Sequence, residues 1–104
     1  MNKGILVVEM KPESPATLTD FENWYDGTHI PEMLSVEGFR KARRFESADD
    51  GSFLAVYEFD TEVDTAKANL KARQQSGQMS PPVGVALDPP PMMRYFRLVT
   101  DSDA

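Results

Sequence analysis

The chain has 104 residues, 40% of them hydrophobic, which indicates one packed globular domain over residues 1–104. Seventeen acidic residues against eleven basic ones give a net charge of −6, and this balance disfavours nucleic acids and anionic membranes as partners. The absence of cysteine excludes disulfides, thiolate metal sites and cysteine nucleophiles.

The chain opens with a predicted strand over residues 4–10, whose alternating positions are apolar on both faces, so that both faces should be covered. Ser14 followed by Pro15 is a helix-entry signal, because proline suits the first helical position. A first helix is therefore predicted from about residue 16 to about residue 26. Its buried face should carry Leu18, Phe21 and Tyr25.

The next stretch holds the only tryptophan and the only histidine of the chain. Phe21, Tyr25 and His29 are spaced four apart and should share one helical face. Gly27 weakens the helix, and Pro31 disfavours the helical conformation of the residue before it. We therefore expect His29 at a break between two helical pieces.

A β-hairpin follows the helices. The second helical piece should cover residues 31–36 and end at Gly38. The strands are predicted over residues 39–47 and 53–60, and the Asp-Gly pair that ends at Gly51 supplies the turn.

The second half of the chain continues with a helix, an irregular segment and a strand. The helix is predicted from about residue 62 to residue 75, with Val63, Ala66 and Leu70 on its inner face. Residues 79–91 hold five of the eight prolines and cannot form a central strand or a long helix. A last strand is predicted over residues 92–100.

The order β-α-β-β-α-β predicts a ferredoxin-like α+β fold, in which a four-stranded antiparallel sheet carries both helices on one face. The other face would be uncovered in a monomer, yet the strands carry apolar residues on both faces. Because a soluble protein rarely exposes so large an apolar surface, we expect a homodimer that packs sheet to sheet.

The phrase WYDGTHIPEMLSVEGFRKARRFES, followed by GSFLAVYEFD, resembles the dimeric α+β barrel superfamily, and within it the small EthD-like proteins. The resemblance covers residues 4–60, and the matching positions are Trp24, His29, Pro31, Gly38, Phe39, Arg44 and Tyr57. It implies a dimeric barrel. Relatives include cofactor-free monooxygenases, polyketide cyclases, muconolactone-type isomerases and proteins with no known reaction, so the fold does not fix the function.

His29 is the leading candidate for chemistry, because an imidazole titrates near neutral pH and can act as a general acid or base. The alternative is a structural histidine that binds a backbone carbonyl. Trp24, Tyr25 and Met33 are candidate walls of a ligand site, although core packing explains Tyr25 equally well. Asp26 is either the partner that orients His29 or a solvent-facing acid.

The basic run of the second strand splits between two faces, so that either Arg43 or Arg44 can point inward. An inward arginine needs a carboxylate partner, which Glu9 or Glu58 could supply, or else binds an anionic substrate. We assign Arg44 and Tyr57 to the stabilisation of an oxyanion.

No cofactor or metal is expected. Asp26, His29 and Glu32 are spaced three apart, but successive steps of three diverge around a helix, and no second histidine is available. The sequence has neither a glycine-rich phosphate loop nor a serine nucleophile motif.

We therefore expect a small cofactor-independent enzyme that acts on a hydrophobic cyclic or phenolic metabolite by proton abstraction, of isomerase, cyclase or monooxygenase type. His29 would move the proton. The alternatives are a non-catalytic small-molecule-binding or stress-type protein, and a module that uses its sheet only to dimerise. Residues 79–91 should cover the pocket or reach the partner subunit. Since neither a secretory signal nor a membrane-spanning run is visible, we expect a cytoplasmic location.

Overall fold

The computed structural model describes residues 2–104. One antiparallel sheet has the strand order β2-β3-β1-β4 and consists of β1 (Gly4–Met10), β2 (Phe39–Glu46), β3 (Phe53–Phe59) and β4 (Met92–Arg97). The helical elements are a 3-10 turn (Pro15–Thr17), α1 (Leu18–Trp24), a π-helical turn (Tyr25–His29), α2 (Ile30–Leu34) and α3 (Val63–Gln75). This order confirms the predicted ferredoxin-like α+β fold. Within residues 2–104, no helix has the length and apolar character needed to cross a membrane.

The core lies between the helices and one face of the sheet. Leu6 on β1 pairs with Tyr57 on β3 and with Tyr95 on β4, so these side chains form a row across the sheet. The helices bury Phe21 and Leu70 against this inner face. The buried face of the first helix begins at Phe21, since Leu18, which we expected inside, is 40% exposed.

A β-bulge at the start of β2 changes which side chains face the helices. Phe39 pairs with Phe59, but Lys41 already pairs with Glu58, so Arg40 is an extra residue in the ladder. One extra residue reverses the alternation of faces. Phe39 and Arg44, which the sequence pattern placed on opposite faces, therefore both point towards the helices.

The predicted break between two helical pieces is replaced by a widened helical turn. The N–H of Ile30 donates to the carbonyl of Tyr25, five residues earlier. Pro31 explains the widening, because it has no N–H and its ring would clash with the carbonyl of Gly27 in a regular α-helix. The chain thus stays helical through Pro31 while the turn before it opens.

Residues 79–91 form neither helix nor strand and fold back onto the start of the first helix. Val85 is buried, and the N–H of Ala86 donates to the carbonyl of Lys11 over 2.8 Å. Gly84 has a φ of +70°, and a Cβ there would lie 3.1 Å from the carbonyl oxygen of Thr17. Only glycine fits this close approach without strain.

The outer face of the sheet is apolar along its centre. Ile5, Val7 and Val56 are half-buried there, while Phe45 and Phe96 at its margins are 50% and 39% exposed. No helix of the described chain covers this face. Apolar residues thus lie on both faces of β1, as the sequence predicted.

Candidate functional site

A cavity of about 380 Å³ lies between the sheet and the helical layer. Its walls are mainly apolar, with His29, Gln74 and Ser80 as the polar members. The apolar lining residues are Val8, Met10, Trp24, Met33, Leu70, Met79, Pro82 and Met93. Such a cavity suits a hydrophobic molecule whose orientation is fixed by a few polar contacts.

The π-helical turn places His29 against two aromatic rings. The imidazole stacks on Trp24, with ring centroids 4.6 Å apart and 22° between the planes. Tyr25 meets the imidazole edge-on, with centroids 5.2 Å apart and 87° between the planes. These two contacts fix the orientation of the only imidazole of the chain at the cavity wall.

Burial lowers the pKa of His29 from its ordinary value of 6.5, because the charged imidazolium is poorly solvated there. The carboxylate of Glu32 acts in the opposite direction, but its effect is smaller. Neutral imidazole therefore predominates at neutral pH. Its Nδ1 atom is buried and has no hydrogen-bond partner among residues 2–104, while the residue as a whole lines the cavity.

Among residues 2–104, five buried side-chain atoms have no hydrogen-bond partner, and they cluster around this histidine. They are Trp24 Nε1, the Tyr25 hydroxyl, His29 Nδ1, Arg44 Nε and the Tyr57 hydroxyl. Buried polar atoms in native proteins are nearly always hydrogen-bonded. Since the five residues contact one another in a chain of aromatic and cation–π pairs, the cluster marks a polar interior behind the cavity wall.

Arg44 points inward, and its side chain is only 13% exposed. Its Nη2 donates to Glu22 over 2.5 Å and its Nη1 donates to Asp26 over 2.9 Å. The prediction that Glu9 or Glu58 pairs with the inward arginine is therefore wrong. These two acids lie on the outer face, whereas an inward Arg44 meets the acids of the first helix.

Glu58, one of the two predicted partners, forms an ion pair with Arg43 on the outer face of the sheet, over 2.7 Å. Arg44 in addition lies over the ring of Tyr25, with its Cζ 4.6 Å from the centroid. Asp26 accepts its hydrogen bond from Arg44 and not from His29, so the predicted role of Asp26 as the orienting partner of the imidazole is not supported.

The structure brings some of the predicted site residues to the cavity and leaves others behind it. Trp24, His29 and Met33 line the cavity. Tyr25 and Tyr57 are buried in the layer behind, and burial raises the pKa of both hydroxyls. Tyr57 and Arg44 do not line the cavity, so the geometry does not support their predicted direct contact with a substrate oxyanion.

The proline-rich segment covers one side of the cavity. The backbone N–H of Ser80 donates to the Glu32 carboxylate at 3.1 and 3.0 Å from its two oxygens, and the Ser80 hydroxyl donates to it over 3.0 Å. Met79 and Pro82 add apolar surface on either side of this contact. The start of the segment, residues 79–82, therefore lies at the pocket, which is one of the two positions predicted for residues 79–91.

Several residues of this region were not identified from the sequence as part of the site, among them Gln74 and Glu32. Gln74 lines the cavity and lies one helical turn beyond Leu70, a spacing that could have revealed it. Glu32 was weighed only as a metal ligand, although it binds Ser80. Within residues 2–104, no three histidine or acidic side chains group closely enough to hold a metal ion.

No protein-family model matches the sequence, and no curated protein matches it in sequence. Three solved structures resemble its fold. A monooxygenase from the gene ActVA-Orf6 of Streptomyces coelicolor, in complex with the ligand nanaomycin D, is 16% identical with a TM-score of 0.59, covering 99% of this chain and 93% of that one.

The protein Rv0793 from Mycobacterium tuberculosis is 16% identical with a TM-score of 0.57, and the match covers 96% of this chain and 99% of that one. A protein from Shewanella loihica is 19% identical with a TM-score of 0.56, covering 97% and 99%. At such identities the similarity shows the fold alone, which is a four-stranded antiparallel α+β sheet of the ferredoxin-like type.

Proposed function

We propose that this chain is a small enzyme of the EthD-like type that acts by proton transfer on a hydrophobic cyclic or phenolic molecule bound beside His29. The observation that carries the proposal is the position of its single imidazole, which stacks on Trp24 at the wall of an apolar cavity. The fold likeness to a monooxygenase that binds nanaomycin D supports the class of reaction and of ligand.

The cavity favours a ring system as the ligand. Four methionines, Met10, Met33, Met79 and Met93, contribute to the lining. Thioethers are polarisable, adapt to irregular shapes and make favourable contacts with aromatic rings. The indole of Trp24 provides the flat surface at which such a ring can pack.

His29 is the group that exchanges a proton with this ligand. Because burial lowers its pKa, the imidazole is neutral near pH 7 and can either accept a proton or donate a hydrogen bond through its N–H. The sequence contains no phosphate-binding loop for a nucleotide or flavin, which is why we propose chemistry independent of a cofactor.

The active form in this proposal is a homodimer of single-domain chains, packed through the outer face of the sheet. Val7 and Val56 lie opposite one another at the centre of that face, and Phe96 extends it on β4. Packing two such faces together would remove apolar surface from water, which is the main driving force for stable association.

The test is a turnover and binding survey with cyclic ketones, quinones, lactones and phenols, comparing the wild type with His29→Ala. We expect turnover of at least one class and a loss of roughly a hundredfold or more in the variant, the usual size of lost acid–base catalysis. Glu37→Gln is the control, because Glu37 is an exposed acid away from the cavity.

Two results would contradict the proposal. Binding without any turnover would instead identify a non-catalytic small-molecule-binding protein. A sharply lower melting temperature of His29→Ala, with unchanged activity per folded molecule, would make His29 a structural residue.

A further inference from the structure

We infer that neutral His29 carries its proton on Nε2, that its Nδ1 accepts a hydrogen bond from the buried hydroxyl pair of Tyr25 and Tyr57, and that His29 therefore meets its ligand as a hydrogen-bond donor. The tautomer is a property of the protein alone. Only the statement about the ligand rests on the proposed function.

The first argument is the balance of donors and acceptors in the buried cluster. Trp24 Nε1 and Arg44 Nε can only donate, whereas each of the two tyrosine hydroxyls can both donate and accept. A proton on His29 Nδ1 would add another donor to a cluster that offers only two hydroxyl oxygens. An unprotonated Nδ1 adds a third acceptor instead, and fewer buried donors stay unpaired.

The second argument is geometric. The lone pair of Nδ1 lies in the plane of the imidazole, and Trp24 is stacked above that plane, so its N–H cannot point along the lone pair. Tyr25 and Tyr57 stand at 87° and 86° to the imidazole, with centroids at 5.2 and 6.4 Å, so their hydroxyls are neighbouring buried donors that the stacking does not exclude. Neither hydroxyl is hydrogen-bonded to Nδ1 in this structure, so the inferred bond forms through a small rotation or one bridging water.

Because Tyr25 and Tyr57 lie behind the cavity wall, they act here as positioning residues that set the tautomer without touching the ligand. Nε2–H then faces the cavity. The ligand it selects carries an unprotonated oxygen, such as the carbonyl of a cyclic ketone, quinone or lactone. A hydrogen bond to that oxygen stabilises negative charge developing on it, a role opposite to that of a base acting through Nε2.

The tautomer can be measured directly, since His29 is the only histidine and gives one set of ring resonances. Protein labelled with ¹⁵N-histidine is studied by long-range ¹H–¹⁵N correlation spectroscopy well above the measured pKa. We expect the Nε2–H form to predominate. Predominance of the Nδ1–H form in the wild type would overturn the inference without any variant.

Tyr25→Phe, Tyr57→Phe and the double variant test the source of the preference. We expect a severalfold rise in the Nδ1–H population in at least the double variant. Tyr95→Phe is the matched control, because Tyr95 is a half-buried phenol of the same sheet face whose hydroxyl is not among the unpaired atoms. Unchanged tautomer populations in all three folded test variants would contradict the assignment to these hydroxyls.

The ligand statement is tested with 1-tetralone and 1-naphthol, two bicyclic probes of similar size that offer a carbonyl acceptor and a hydroxyl donor. We expect the ketone to shift the His29 Nε2 resonance and to bind at least about fivefold more tightly. Tighter binding of the naphthol would overturn the donor role. An Nε2–H tautomer with no binding of any cyclic probe would count against the proposed function instead.

Discussion

The imidazole of His29 lies nearly parallel to the indole of Trp24, with centroids 4.6 Å apart and 22° between the planes. These residues are five positions apart. In a regular helix of 3.6 residues per turn, such a pair points to different faces. The π-helical turn at Tyr25–His29 brings them into register, and so creates the aromatic wall of the cavity.

The burial of His29 predicts a pH dependence of stability. An unfolded imidazole protonates at about pH 6.5, whereas the folded one protonates at lower pH. Stability should therefore fall as the pH drops through about 6.5 and level off below the folded pKa. Melting curves of the wild type and His29→Gln between about pH 5 and about pH 7.5 isolate this contribution, because Glu32 and the nearby tyrosines are common to both.

An NMR titration of the imidazole gives the folded pKa in the same samples. A value above 6.5 would show that the attraction of Glu32 outweighs burial, and the predicted slope would then reverse its sign.

Arg44 is predicted to contribute to stability more than any exposed arginine. Arg44→Met leaves Glu22 and Asp26 without their partner and should cost about 1–3 kcal/mol, less than a fully buried pair because both acids are partly exposed. The control is Arg40→Met, whose side chain is 68% exposed and whose pair with Asp60 should be worth less than about 1 kcal/mol. Urea unfolding measures the free energy of unfolding of both variants, and equal decreases in the two would contradict the prediction.

The contact between Glu32 and Ser80 is predicted to hold the proline-rich segment over the cavity. Glu32→Gln keeps the size of the side chain but weakens its hydrogen bonds from Ser80, since the acceptor loses its charge. Amide hydrogen exchange over residues 79–86 should accelerate, and probes should leave the cavity faster. Glu37→Gln serves as the control, and identical exchange in both variants would show that other contacts, such as those of Val85 and Ala86, hold the segment.

The outer sheet face is predicted to mediate dimerisation. Sedimentation should give twice the chain mass of 11.7 kDa, with an interface above the roughly 1,000 Å² of a stable contact. Val7→Lys places a charge at the centre of this face and should yield a folded monomer. Val83→Lys, on the exposed proline-rich segment, should leave the assembly unchanged. A wild-type protein that is monomeric at micromolar concentration would contradict the prediction that this face mediates dimerisation.

Local patterns in the sequence determined the elements and their order. The alternation in β1, the Asp-Gly turn that ends at Gly51, and the spacing of Val63, Ala66 and Leu70 each depend on neighbours in the chain. For the same reason, the ferredoxin-like order of strands and helices could be predicted before any contact was known.

Tertiary structure decided how the faces of each element are oriented towards the other elements, although Pro31 marked one of the two places where that orientation shifts. The bulge at Arg40 turned Arg44 towards Glu22 and Asp26, and the widened turn before Pro31 moved Trp24 onto His29. Both are one-residue changes of register, and their free energy depends on what packs against the shifted side chains. Spacing rules assume a constant period along each element, so they could identify His29 and Trp24 but could not place Arg44 and Tyr57 behind the cavity wall.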